Sequence, residues 1–227
     1  MTKLTTAEAA QRLRVSPREV RRLADSGALT GARFGSALVF DGDDVRRLQR
    51  QARGPGRIWS ARTAWSALSL LDGAPLELID QPRRSRLRAR LRQLEPEQFH
   101  RLTARRAEVH RFHASDGALR RMSGALVATG ISAAAEETVA RRFDLAAVIA
   151  EKRLEGYLQG DLSVLIEQYR LAPDPAGNAT VRLLPDLMAI DHLLGSVPVV
   201  AVDLMDSDDS RERSRGREVL RGLLDEL

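Results

Sequence analysis

The sequence predicts an α+β protein: short helices and a hairpin in its first fifty or so residues, then a mixed α/β region. Three observations carry this. Two helix-start signals follow each other closely, a glycine-centred pair of short apolar runs comes after them, and past residue 107 strand-length apolar runs alternate with helical periods. With 227 residues, 43% of them hydrophobic, the chain has core enough for two compact domains.

The first helix is marked by Thr5 and Glu8, the second by Ser16 and Glu19. Each pair has capping-box spacing, in which a hydroxyl accepts the N3 amide and the carboxylate returns to the cap amide. Pro17 at the first helical position loses no hydrogen bond there. Ala9, Ala10 and Leu13 face inward from the first helix, Val20, Leu23 and Ala24 from the second. Only "RVS" separates them, so the helices must cross steeply, as in a helix-turn-helix. Arg18, Arg21 and Arg22 then point away from the apolar face, the arrangement of a recognition helix whose amino end reaches base edges. Arginines there can pair bidentately with guanine, while Ser16 suits the phosphate backbone.

Gly27 fits a left-handed helix end. Leu29 to Arg33 and Ala37 to Phe40 read as two strands around Gly35 and Ser36, a hairpin that would serve as a wing, with Arg33 and Ser36 as further DNA contacts. Asp41 to Asp44 supply caps for a third helix through Val45 and Leu48. Residues 4 to 48 resemble the excisionase or MerR-like winged helix-turn-helix family, whose pattern L-T-x-x-E-A-A-x-x-L, V-S, V-x-R-L, G-x-L, R-x-G and D-V is met throughout. Arg14 departs from it, standing where the family has glycine; a positive φ there would cost about 1 kcal/mol. The plainer alternative is a helical module used for protein contacts.

"RQARGPGR" separates this module from the rest, giving boundaries of 1–50 for the winged helix-turn-helix, 51–57 for a linker, 58–112 for a basic helical segment and 113–227 for an acidic α/β domain. Residues 1–112 hold 23 Lys+Arg against 12 Asp+Glu, residues 113–227 hold 13 against 19, so a polyanion suits the first half and a different partner the second. In the basic segment Trp65, Leu68 and Leu70/Leu71 mark a helix ending at Gly73. "PRRSRLRARLRQL" stripes Leu87, Leu91 and Leu94 between arginines. It is either a second DNA contact through Arg83, Arg86 and Arg90 or an amphipathic surface helix, since the leucine stripe is expected of both.

Beyond it come a helix to about Arg106, strand "EVHRFHA", a helix, apolar "ALVATG", a helix around Ala133 to Arg142, "DLAAVIAEKRLEGYL", helix "DLSVLIEQYRL", strand "NATVRLL" and "VPVVAVDL", read as a buried strand. Asp209, with Glu212 three residues on, opens a last helix to Leu227.

Cysteine is absent, which excludes disulfides and thiolate chemistry. His110 and His113, three apart on a strand, face opposite sides, so neither they nor His100 suggest a metal site; His192 reads as a partly buried helix residue. "GSVPVVAVDLMDSDD" does not make a working nucleotidyltransferase site, because Asp203 and Asp206 on a strand would not share a face; Asp206, Asp208 and Asp209 read instead as the cap of the last helix. No phosphate loop or nucleophile elbow appears. The expectation is a non-enzyme without cofactor or metal. Lacking an apolar leader or a membrane-length apolar run, it is expected in the cytoplasm and off the membrane.

The order of "GRIWSARTAWSALSLLDG", "SRLRARLRQL", "LIEQYRLAPDPAGNATVRLLP" and "VAVDLMDSDDSRERSRGREVL" resembles AbiEi-type antitoxins, diffusely past residue 57. That resemblance implies a repressor of its own operon that counteracts a nucleotidyltransferase-like toxin. The candidate partners are therefore double-stranded DNA, a cognate toxin protein and a second copy of the chain in a homodimer. Two other readings stay open: a ligand-responsive transcription factor with a carboxyl-terminal sensor domain and an apolar pocket, and an enzyme using Asp203 and Asp206.

Overall fold

The computed structural model describes residues 3–13, 15–25, 29, 31–34, 37–42, 45, 57–73, 78–145, 152–184 and 190–227. Contacts divide the chain into two units, Met1–Gly56 and Arg57–Leu227. Arg14, Gly27, Gly35, Ser36, Leu48 and residues 51–56 of the linker lie outside the described residues.

In the first unit, β1 (Lys3–Thr5) leads into α1 (Thr6–Leu13) and α2 (Pro17–Asp25), followed by β2 (Gly31–Phe34) and β3 (Ala37–Asp41). The strands form an antiparallel sheet in the order β1-β3-β2, with Leu4 and Gly31 both opposite Phe40. The hairpin is where the sequence places it; β1 is an addition that three residues before a cap do not announce. A Cβ on Gly31 would stand 2.9 Å from the Phe40 ring, so glycine there lets the ring lie over β2. The Thr5 capping box is complete: the Glu8 amide donates to Thr5 Oγ1 at 3.3 Å, and the Thr5 amide donates to the Glu8 carboxylate at 2.7 Å. Ala9, Ala10, Leu13 and Val20 are buried with Leu4, Leu29, Phe40 and Val45, and Leu23 and Ala24 pack against them. The inward faces are those the helical spacing predicts. Small residues on α1 bring the backbones close, and the turn is tied by the Val15 amide donating to the Ala10 carbonyl at 3.1 Å.

The second unit is a mixed five-stranded sheet between helices. In chain order it comprises α3 (Ala61–Leu71), α4 (Gln81–Leu91), α5 (Pro96–Leu102), β4 (Glu108–His113), α6 (Asp116–Met122), β5 (Leu126–Ala128), α7 (Gly130–Ala133) and α8 (Glu137–Arg142). Then follow β6 (Leu154–Leu158), α9 (Leu162–Tyr169), β7 (Ala172–Pro173), β8 (Ala179–Leu183), α10 (Val197–Leu204) and α11 (Ser210–Asp225). The sheet order is β5-β6-β8-β4-β7, with only β6 and β8 parallel. Residues 58–112 and 113–227, distinct in charge, fold together here, because β4 spans residue 112 and pairs with β8.

Period-two alternation gives the sheet two unlike faces. Phe112, Ala179, Val181, Leu154 and Leu158 pack with Ala118, Leu119 and Met122 of α6 and Leu165 of α9. From the same strands Val109, Arg111, Thr180, Arg182, Glu155 and Tyr157 point the other way, toward the larger core, which holds Trp65, Phe99 and the apolar residues of α10. α3 begins at Ser60, whose Oγ accepts the Thr63 amide, and ends before Gly73 at φ +79°. The indole Nε1 of Trp65 donates to the Arg106 carbonyl at 2.9 Å. In place of one helix from Ala133 to Arg142, α7 ends at Ala133 and α8 begins at Glu137.

Val197–Leu204 corrects the expectation of a strand: "VPVVAVDL" is a helix. Its β-branched run resembles a buried strand, but Ser196 and Pro198 are helix-start residues, and a helix buried on every side shows no apolar stripe. α11 presses on it through Gly216, where a Cβ would come 2.5 Å from the Ala201 carbonyl oxygen. Asp209 caps α11 as expected, accepting the amides of Arg211 and Glu212 at 2.8 and 3.1 Å. His192 is exposed in a 3-10 turn rather than partly buried in a helix. Among the described residues no helix is long and apolar enough to cross a membrane.

Candidate nucleic-acid interface

Helix α2 opens with Ser16, whose Oγ accepts the Glu19 amide at 3.2 Å. The second box is only half formed, because the Glu19 carboxylate turns to Arg22 instead of to the cap amide, at 2.9 Å from Nε and 2.6 Å from Nη2. That bond holds the Glu19 carboxyl below its ordinary value. Ser16 keeps its own O–H free to donate, so the cap role and a phosphate contact are compatible.

Val20 is fully buried, which fixes the rotation of α2 and leaves Arg18, Arg21 and Arg22 exposed. Arg18 occupies the second helical position, and Arg21 and Arg22 follow one turn later on the same side. Among the described residues Arg18 and Arg21 make no ion pair or side-chain hydrogen bond, whereas Arg22 is engaged by Glu19. The three arginines are thus unequal: two present whole guanidinium forks outward, and the third must give up an exposed pair. Arg33 stands on β2 opposite Leu38; its side chain and all of Ser36 lie outside what is described.

The arginines of α4 are placed differently. Leu87 and Leu91 are buried in the second unit's core, so the leucine stripe belongs to packing. Arg83, Arg86 and Arg90 are exposed, but each leans on its own surroundings. Arg83 Nε lies 3.4 Å from Asp80, Arg86 Nε donates to the Pro82 carbonyl at 3.2 Å, and the Arg90 guanidinium sits 5.4 Å from the Trp59 ring centre.

Asp203 and Asp206 require a correction. Asp203 lies in the last turn of α10 and Asp206 in the turn that follows it, where the Asp206 amide donates to the Asp203 carbonyl at 3.0 Å, and the two carboxylates converge on one guanidinium: Arg106 Nη2 lies 2.5 Å from Asp203 Oδ1 and 2.5 Å from Asp206 Oδ2. Asp203 is fully buried and also accepts from Thr129 Oγ1 at 2.6 Å. Asp206 is no helix cap; it bonds His100 Nε2 at 2.6 Å and Arg182 Nη1 at 2.9 Å. Burial would raise the Asp206 carboxyl, but Arg106, His100 and Arg182 outweigh burial and hold it far below the usual aspartate range. Burial likewise opposes the charge of Arg106, and the two aspartates nonetheless keep it firmly protonated. Asp208 is exposed and pairs with Arg111 at 3.2 Å. Among the described residues no three His, Asp or Glu side chains are grouped to hold a metal ion.

Sequence reasoning missed this buried network. Its signal was present as polar residues at every second position in "RLEGYL" and "ATVRL", a pattern that a solvent-facing strand shares.

Comparison with known families matches residues 4–53 to the helix-turn-helix domain family, and no curated protein and no solved structure matches the chain. The match covers α1, α2 and the sheet of the first unit, where the exposed arginines lie. Residues 4–53 are a helix-turn-helix segment of the DNA-binding kind.

Proposed function

We propose that the chain is a sequence-specific transcriptional repressor that reads the major groove of double-stranded DNA with α2. The observation that carries this is the pair Arg18 and Arg21, exposed and, among the described residues, unpaired at the amino-terminal part of a helix whose buried Val20 fixes its orientation. Ser16 would touch a phosphate, and the β2–β3 hairpin would act as the wing. Arg83, Arg86 and Arg90 are at most secondary, their guanidinium groups being drawn to Asp80, Pro82 and Trp59. Band shifts with the DNA upstream of its own gene should show saturable, salt-sensitive binding. Arg18→Ala and Arg21→Ala should each cost about 1–3 kcal/mol in binding. Unchanged binding by both variants would reject α2 as the reading helix.

The proposal extends to an antitoxin role against a nucleotidyltransferase-like toxin, supported by the AbiEi-type resemblance and by the acidic carboxyl half. The chain is then a regulator and a neutraliser, without catalysis of its own. Co-expression with such a toxin from a neighbouring gene should restore growth. Continued toxicity would remove the antitoxin role and leave the DNA reading intact.

A ligand-responsive regulator is the second reading, favoured by a cavity of about 550 Å³ in the second unit. Its lining is charged, not the apolar one expected, and includes Arg106, Arg111, Arg153 and Arg182.

A further inference from the structure

The cavity lies over the polar face of the five-stranded sheet. Arg111 of β4 is in register with Thr180 of β8, which is in register with Glu155 of β6; Arg182 follows two residues along β8 on the same face. All four residues line the cavity.

Two buried arginines there differ in how they are used. Arg106 spends its fork inside the fold: Nε and Nη2 on Asp203, Nη2 also on Asp206, and Nη1 on the Thr103 carbonyl. Arg182 is 1% exposed and, among the described residues, makes one hydrogen bond, from Nη1 to Asp206. Its Nε lies 3.5 Å from Asp203 without a hydrogen-bond partner, and its Nη2 stands 4.0 Å from Glu155. A guanidinium has five N–H donors; here Nε is buried without a hydrogen-bond partner, which is costly, and Nη2 makes no hydrogen bond among the described residues.

The neighbouring carboxylates leave these donors short of hydrogen-bond distance, and most of their own capacity is directed elsewhere. Asp206 already accepts from His100, Arg106 and Arg182, and Glu155 accepts from Arg153 at 2.9 Å. Asp208 is 89% exposed and holds Arg111 only loosely. The Thr180 hydroxyl, between Arg111 and Arg182, makes no hydrogen bond among the described residues.

We propose that this cavity binds the phosphate group of a small phosphomonoester, with Arg182 as the anchor and Arg111 and Thr180 as the flanking donors. Donors from two strands with a hydroxyl between them match the several peripheral oxygens of a phosphate better than the two coplanar oxygens of a carboxylate. The volume exceeds that of the ion alone and lies within the range of small-molecule sites, leaving room for an organic remainder. This names the ligand class for the ligand-responsive reading. It is tested without DNA, so its failure and that of the DNA reading are separable.

The test is titration of the full chain, at ionic strength fixed with sodium chloride, with inorganic phosphate, adenosine monophosphate and acetate. Binding is read by calorimetry and by phosphorus NMR line broadening. Saturable binding of the monophosphate, tighter than that of inorganic phosphate and not displaced by equimolar acetate, is the expected result. Thr180→Val and Arg111→Ala, neither of which removes a buried charge, should each weaken it about tenfold, one charge-assisted hydrogen bond's worth. Arg182→Lys should weaken it further; if that variant does not fold, the other two decide. Inorganic phosphate binding as tightly as the monophosphate, displacement by acetate, no saturable binding, or binding indifferent to both exposed-side variants would each overturn the proposal.

Discussion

The two units use arginine in opposite ways. In the first, among the described residues, no charged or polar side chain is buried, and Arg18 and Arg21 stand outside a wholly apolar core. In the second, Arg106 is buried on Asp203 and Asp206. A guanidinium held at the surface without a partner keeps its hydrogen-bonding capacity for another molecule. One buried on two aspartates has committed that capacity to the fold. Arginine content alone therefore says little, since nearly every cation in the chain is arginine, with lysine only at Lys3 and Lys152.

The contrast can be sharpened by substitution. The largest expected effect is on Asp203: Asp203→Ala strands a buried Arg106 and should cost about 3–5 kcal/mol, read from the urea midpoint. A loss below about 1 kcal/mol would mean that the buried pair is not a structural commitment. Next is acid sensitivity. The folded chain holds Asp206 ionised far below the ordinary aspartate range, while the unfolded chain protonates it normally. The sign follows: this stability is present above the unfolded value and is lost as pH falls through and below it. Urea midpoints measured downward from about pH 6 should fall through that range, and Asp206→Asn should flatten that part of the fall. An unchanged slope would remove Asp206 from the network. Smaller still are the caps. Thr5→Ala should cost about 1 kcal/mol, and Ser16→Ala less, because the Thr5 box is reciprocal and the Ser16 box is not. Equal losses would show that Glu19 serves the cap despite Arg22.

What could be read in advance divides along the same line. The inward faces of α1 and α2, the hairpin and the exposure of Arg18 and Arg21 follow from local spacing, because caps and apolar periods act within a few residues. The second unit's charges depend on partners far apart in sequence: His100 meets Asp206 across 106 positions, and Arg106 meets Asp203 across 97. Reading "VPVVAVDL" as a strand set the two aspartates on opposite faces, and the single misassigned element hid their convergence. Ser196 and Pro198 carried the helix signal, against a β-branched run whose uniform burial erased the period. Arg111, Thr180 and Arg182 alternate as solvent-facing residues do, and only the fold shows that Arg182 is buried while Arg111 and Thr180 line a cavity.

The central claim is that the exposed guanidinium groups of α2 read base edges. It is tested most directly by measuring the full chain and its Arg21→Ala variant against the upstream DNA with each base pair replaced in turn, at one fixed salt concentration. The account predicts that the variant loses discrimination at one or two positions while the pattern elsewhere is unchanged. Uniform weakening at every position, with the wild-type base preferences intact, would assign Arg21 to the phosphate backbone and contradict it.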